Sequence, residues 1–293
     1  MIAIAGPNLP LELLTATGRH AGVVGFDPDL ETPRADRWLE SKFAPWARAV
    51  LEGWAQGAYD DLDQVLFSRA DDTSQRLYYY VCELQRRGLL GGPEAIVLDI
   101  AKIPRRTSLD RTVEKLREMG ERLCVSEEAL EKAIVASHDR AGDGSTAPGE
   151  GRVCLLAGTN PPDMRLHEAV ARAGFRAVGR TLAQEWLDPG APAQRDSGDP
   201  YAALGRKLHA RGEGPRSFAD PAAALRAGLA ASGAEAVVLW RIEEDEAQCW
   251  HLPQERAAIE ASGLPSLILT RRDWLGRDGS AAQIESFLRE VSA

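Results

Sequence analysis

Short runs of β-branched and aliphatic residues alternate along the chain with longer stretches in which apolar positions recur every three or four residues. The runs are AGVVGF (21–26), QVLFS (64–68), AIVLDI (95–100), VCLLAGT (153–159), FRAVGRT (175–181), AEAVVLW (234–240) and PSLILT (265–270), each followed by a helical pattern. Strands that alternate with helices pair in parallel, because each helix carries the chain back across the sheet. Residues 137–151 (SHDRAGDGSTAPGEG) break the rhythm, being rich in Gly, Ser, Asp and Pro with almost nothing to bury. The pattern predicts an α/β protein of two Rossmann-like or flavodoxin-like domains with parallel sheets and an interdomain cleft. The domains are expected over 1–136 and 152–293, joined by a linker over 137–151.

The two halves echo each other. QVLFS runs into Arg69-Ala70-Asp71-Asp72-Thr73 and a helical stretch stopped by Gly88, and VCLLAGT runs into Asn160-Pro161-Pro162-Asp163 and one stopped by Gly174. Such turns lie at the carboxyl ends of parallel strands, where open α/β sheets bind ligands and where the free N–H groups of a helix start can hold an anion. An Asp at that place also serves as a plain helix cap. Both readings of Asp71, Asp72 and Asp163 stay open.

With 293 residues, 44% of them hydrophobic, the chain can bury two cores. Its 35 Lys and Arg against 44 Asp and Glu give a net charge of −9, and the Arg are scattered instead of forming a stripe. That argues against a nucleic-acid partner, which wants a basic track for phosphates. No apolar run approaches the roughly 18 residues of a membrane span. The start MIAIAGPNLPLELL lacks the basic segment of a signal peptide and meets Pro twice, so a cytoplasmic location is expected. Cys82, Cys124, Cys154 and Cys249 lie far apart with no C-x-x-C pair, which argues against structural zinc or disulfides. Cys82 and Cys154 sit in apolar surroundings and are expected to be buried. The five His show no metal-binding spacing, and there is no G-x-G-x-x-G, Walker loop or G-x-S-x-G.

The order of landmarks resembles that of the 2-hydroxyacyl-CoA dehydratase and benzoyl-CoA reductase subunit family. The likeness is carried by LPLELLTATG (9–18), DLDQVLFSRADDTSQRLYYY (61–80), RVCLLAGTNPPD (152–163), the segment from AEAVVLW to PSLIL (234–269) and DGSAAQIESFLREV (278–291). It spans nearly the whole chain and implies two α/β domains with a [4Fe–4S] cluster held between them by three thiolates. This sequence departs from that pattern at the ligand positions. The first falls in Ser68-Arg69-Ala70-Asp71, so Ala70 stands where the thiolate is expected. The second falls in Leu182-Ala183-Gln184-Glu185-Trp186, without Cys, and the third falls near Glu244 or Asp245, with Cys249 displaced by about one helical turn. Gln283 stands where the family's last helix carries Arg, and 137–151 replaces a longer middle segment.

The resemblance therefore implies a chain with no cofactor of its own. It would be a cluster-free subunit of a heteromeric acyl-CoA dehydratase or reductase, paired with a homologous subunit bearing the [4Fe–4S] cluster. An ATP-dependent iron–sulfur activator would be a further partner. Candidate residues for an anionic acyl-CoA ligand are Ser68, Arg69, Asp71, Lys102, Arg105, Thr159, Asn160, Arg180 and Arg241, which fall near the carboxyl ends of predicted strands. The same cations have plentiful acidic neighbours, and pairing with Asp71, Asp72, Asp99, Glu243 or Glu244 across the domains is the competing expectation. Tyr78, Tyr79 and Tyr80, with Trp38, Trp46 and Trp54, offer either an aromatic subunit interface or core. A stand-alone binding or scaffold protein that kept the fold without redox chemistry is the alternative function.

Overall fold

The computed structural model describes residues 1–143, 151–211 and 220–293. In chain order the first elements are β1 (Ile2–Ala5), α1 (Leu11–Ala16), β2 (His20–Val23), α2 (Ala35–Trp38), α3 (Pro45–Ala55), β3 (Gln64–Ser68), α4 (Asp72–Arg86), β4 (Glu94–Leu98), α5 (Arg106–Leu123) and α6 (Glu127–Asp143). There follow β5 (Arg152–Gly158), α7 (Arg165–Arg172), β6 (Phe175–Val178), α8 (Leu182–Trp186), α9 (Pro200–Ala210), α10 (Pro221–Ser232) and β7 (Ala236–Ile242). A 3-10 turn (Glu246–His251), α11 (Leu252–Ser262), β8 (Ser266–Arg272) and α12 (Ser280–Ser292) complete the chain.

The strands form two separate four-stranded sheets, ordered β2-β1-β3-β4 and β6-β5-β7-β8, with every pairing parallel. The α/β class and the two parallel sheets are those the alternating pattern predicts. In each sheet the chain first moves to one side of its opening strand and then returns to the other. The strand order thus reverses between β1 and β3 in one sheet and between β5 and β7 in the other. Side chains of the first sheet and its helices, among them Leu13, Leu14, Leu51, Leu66, Phe67, Leu77, Ile96 and Leu98, are fully buried. The second core gathers Leu155, Leu225, Leu229, Val237, Leu239 and Ile259 from β5, α10, β7 and α11.

Strand β1, which the sequence pattern does not single out, is central to its sheet. It is four residues long, runs straight into Gly6-Pro7, and is buried on both faces, so it shows neither the length nor the polar alternation that marks a strand.

By its internal contacts the chain groups into two units, Met1–Ser145 with Trp186–Phe218, and Thr146–Glu185 with Ala219–Ala293. The grouping differs from a single cut at 137–151 because the segment around α9 packs on α5 and α6. Two glycines allow the close approach. A Cβ on Gly205 would lie 2.5 Å from Val113 Cγ2, and one on Gly120 would collide with the Tyr201 ring. Tyr201 then donates its hydroxyl to the Val125 carbonyl (2.8 Å), and Asp199, which caps α9, accepts from Arg117 (2.6 Å). Helix α6 continues to Asp143, so 137–143 is helical where a linker is expected, and 144–150 lie outside the described residues.

Burial corrects one expectation and settles another. Cys82 is half-buried instead of buried, while Cys154 is buried, with its thiol pKa pushed up to about 12 by desolvation. Trp46 and Trp54 belong to the core, and of the three tyrosines Tyr79 is the exposed one. Among the described residues no helix is long and apolar enough to cross a membrane.

Candidate functional site

In open parallel sheets, ligands bind beyond the carboxyl ends of the strands where strand order reverses. In the first unit that place lies between the loop after β1 and the turn Ser68-Arg69-Ala70-Asp71 after β3. Ser74, in the first turn of α4, ties the two together: its Oγ donates to the Ala5 carbonyl and accepts the Ser68 N–H (2.9 Å). Asp71 caps α4 by accepting the Ser74 N–H (2.7 Å), and Ser68 Oγ accepts the Ala70 N–H (3.1 Å). The β1 loop passes so close that a Cβ on Gly6 would sit 2.7 Å from Ser74 Oγ and 2.8 Å from Ser68 Cβ, which only glycine, at φ +134, avoids. Ser68 and Ala70 are buried, and Arg69 pairs with Asp99, just after β4, at 2.6 Å.

The same loop carries Asn8, which is 1% exposed, has φ +59, and finds no hydrogen-bond partner for either end of its amide. A buried amide in a left-handed conformation with both polar ends unsatisfied carries two costs at once. Sequence reasoning missed Asn8 because it missed β1. Had MIAIA been recognised as a strand, the following G-P-N would have stood at its carboxyl end.

The second unit repeats the arrangement between β5 and β7. Thr159 N–H donates to the Trp240 carbonyl (2.7 Å), its hydroxyl donates to the Asp245 carboxylate, and its Oγ1 accepts the Ile242 N–H (3.3 Å). Asn160 Nδ2 reaches the Arg180 carbonyl (3.4 Å), while the Arg180 guanidinium meets Glu185 at 3.1 Å. Thr159, Asn160 and Arg180 line a recess of about 40 Å³ with Leu156, Pro161 and Trp240. That volume suits one water molecule, whose share of liquid is about 30 Å³. Trp240 is 1% exposed and its indole Nε1 has no hydrogen-bond partner. The run AEAVVLW puts that tryptophan at a strand end, so this signal was present in the sequence.

The nine candidates thus separate into groups. Ser68, Arg69 and Asp71 share one turn with Ala70, and Thr159, Asn160 and Arg180 share the recess. Lys102 donates to the carbonyls of Leu208 (2.8 Å) and Arg211 (2.9 Å), a cation at the C-terminal end of α9. Arg105 is exposed at the start of α5. Arg241 is buried in β7, joined to Glu255 of α11 and, at 3.9 Å, to Asp245. Arg69, Lys102, Arg180 and Arg241 each have a partner within their own unit, and for Arg69 it is Asp99, one of the acidic residues expected to compete for it.

The residues present do not fit a [4Fe–4S] cluster. Iron of this kind needs thiolates, and Ala70 presents a methyl group. Of the thiols, Cys82 lies against Tyr78 in α4, Cys154 is buried in β5, and Cys124 and Cys249 are exposed. Among the described residues no group of three or more His, Cys, Asp or Glu is placed to hold a metal ion. The chain matches no protein-family model. No curated protein matches its sequence.

Proposed function

We propose that the chain is a cluster-free subunit of a heteromeric 2-hydroxyacyl-CoA dehydratase or benzoyl-CoA reductase-type enzyme. In this reading it works in the cytoplasm beside a homologous subunit that carries the [4Fe–4S] cluster. The observation that supports it best is the turn Ser68-Arg69-Ala70-Asp71. It closes β3 where the strand order reverses, and it holds a buried methyl group where the resembling family has a thiolate. The subunit's own task is to bind part of an acyl-CoA through Arg69, the Ser68 turn and Asn8, and to shape the surroundings of the partner's cluster. An ATP-dependent iron–sulfur activator serves the assembled complex.

The stand-alone binding or scaffold protein is favoured by one observation, the engagement of Arg69, Lys102, Arg180 and Arg241 with groups of their own units. Calorimetry of the full chain with benzoyl-CoA and a 2-hydroxyacyl-CoA separates the two. The subunit reading expects binding that Arg69→Ala weakens by about 1.5–3 kcal/mol, the worth of a hydrogen bond to a charged group. The same change should cost under about 1 kcal/mol of stability, because the Arg69–Asp99 pair is partly exposed. If no thioester binds with a dissociation constant below about 1 mM, the acyl-CoA part of the reading falls and the scaffold stands.

A further inference from the structure

The first unit contains a cavity of about 290 Å³, close to the lower end of the 300–1,000 Å³ usual for small-molecule sites. Its apolar wall includes Leu11, Leu187, Pro189 and Pro192. Its polar lining contains an ion pair between Lys207 of α9 and Glu12 of α1, whose side chains are 5% and 3% exposed. Lys207 bonds Glu12 Oε1, and Oε2 of the same carboxylate is buried without a partner. His20, at the start of β2, also lines the cavity, and its Nε2 is likewise buried and unpartnered. Burial pushes the His20 imidazole below its ordinary pKa, so the ring is neutral at pH 7.

The wall formed by 187–192 is held in place before any ligand arrives. Arg211 donates to the carbonyl (2.6 Å) and carboxylate (3.0 Å) of Asp188, and Asp188 Oδ1 accepts the Gly190 N–H (3.1 Å). Gly190 takes φ +62 there, and Trp186 stands edge-on to Trp46 at 4.8 Å. A preformed wall spares the ordering cost of binding.

We propose that this cavity is a second, separate binding site, for a small uncharged amphiphile whose hydroxyl or primary amide end hydrogen-bonds Glu12 and His20 while its hydrocarbon part fills the apolar wall. The free Glu12 Oε2 requires a donor, which a hydroxyl or an amide N–H supplies. The Glu12–Lys207 pair is already neutral overall, so a charged ligand would lose its hydration with no spare countercharge to meet it. The inference does not depend on the acyl-CoA reading, and the two sites are tested with different probes.

Four six-carbon probes with different ends test it: hexan-1-ol, hexanamide, hexylammonium and hexanoate, each titrated into the ¹⁵N-labelled full chain. The expected result is saturable shifts at Leu11, Thr15, His20 and Gly190 for the alcohol and amide, with dissociation constants near or below about 1 mM, and binding weaker by about tenfold or more for the two ions. Thr15 lines the cavity and is exposed, so Thr15→Trp should fill the mouth, abolish the shifts and leave the melting temperature unchanged. The proposal is overturned if no probe saturates, if ions bind as well as neutral probes, or if Thr15→Trp binds like the parent chain.

Discussion

Gly158→Ala should destabilise the second unit by about 3–5 kcal/mol. Gly158 ends β5 at φ +105, and a Cβ there would fall 2.1 Å from the Trp240 carbonyl oxygen and 2.9 Å from its carbonyl carbon. Two costs combine: about 1–3 kcal/mol for a side chain in a conformation reserved for glycine, and about 1–3 kcal/mol for pushing packed backbone aside. The strand pair β5–β7 cannot yield without losing the Thr159–Trp240 hydrogen bond beside it. For a chain of this size the melting temperature of that unit should fall by roughly 10 °C. Gly233→Ala is the control, because Gly233 has φ +63 but open space around it, and only the left-handed cost of about 1–2 kcal/mol applies. Equal melting temperatures for the two variants would show that β5 and β7 do not approach each other in this way.

Arg241→Leu should cost about 3–5 kcal/mol, as removal of one partner strands a buried charge. Arg241 and Glu255 have side chains 8% and 5% exposed, and both Arg241 Nε and Glu255 Oε2 lack other hydrogen bonds, so each ion depends heavily on the other. Glu255→Leu should cost less, because Asp245 still stands 3.9 Å from the Arg241 guanidinium. The double variant should recover most of the loss, since two leucines leave no ion behind, and an urea unfolding cycle over the four proteins measures the coupling. Additive losses would mean that Arg241 and Glu255 do not depend on each other, and that Asp245 is the main partner of the guanidinium.

Among the described residues, seven of the eight strands follow from apolar runs that stand between stretches of helical period. The eighth, β1, is short and buried on both faces, and its loss from the reading hid Asn8. The allegiance of α9 to the first unit rests on Gly120 meeting Tyr201 and Gly205 meeting Val113, contacts between residues that no local pattern links. The turns at Ser68–Asp71 and Thr159–Asn160 were legible because a polar turn after an apolar strand has a fixed place in a parallel sheet. What each cation does there was not legible. Arg69 and Lys102 each follow the end of a strand, β3 and β4, yet one faces Asp99 and the other caps α9. Glu12 and Lys207 are far apart in sequence, and their pairing depends on the tertiary fold alone.

Anaerobic affinity purification of the tagged full chain from its native cells, followed by iron and sulfide determination on the complex and on the separated chain, tests the cluster-free subunit most directly. The expected outcome is a complex containing a homologous partner, with about four iron and four sulfide in the partner's share and none retained by this chain after separation and reconstitution. A stoichiometric four-iron cluster assembled on this chain alone, with Ala70 in the β3 turn, would contradict it.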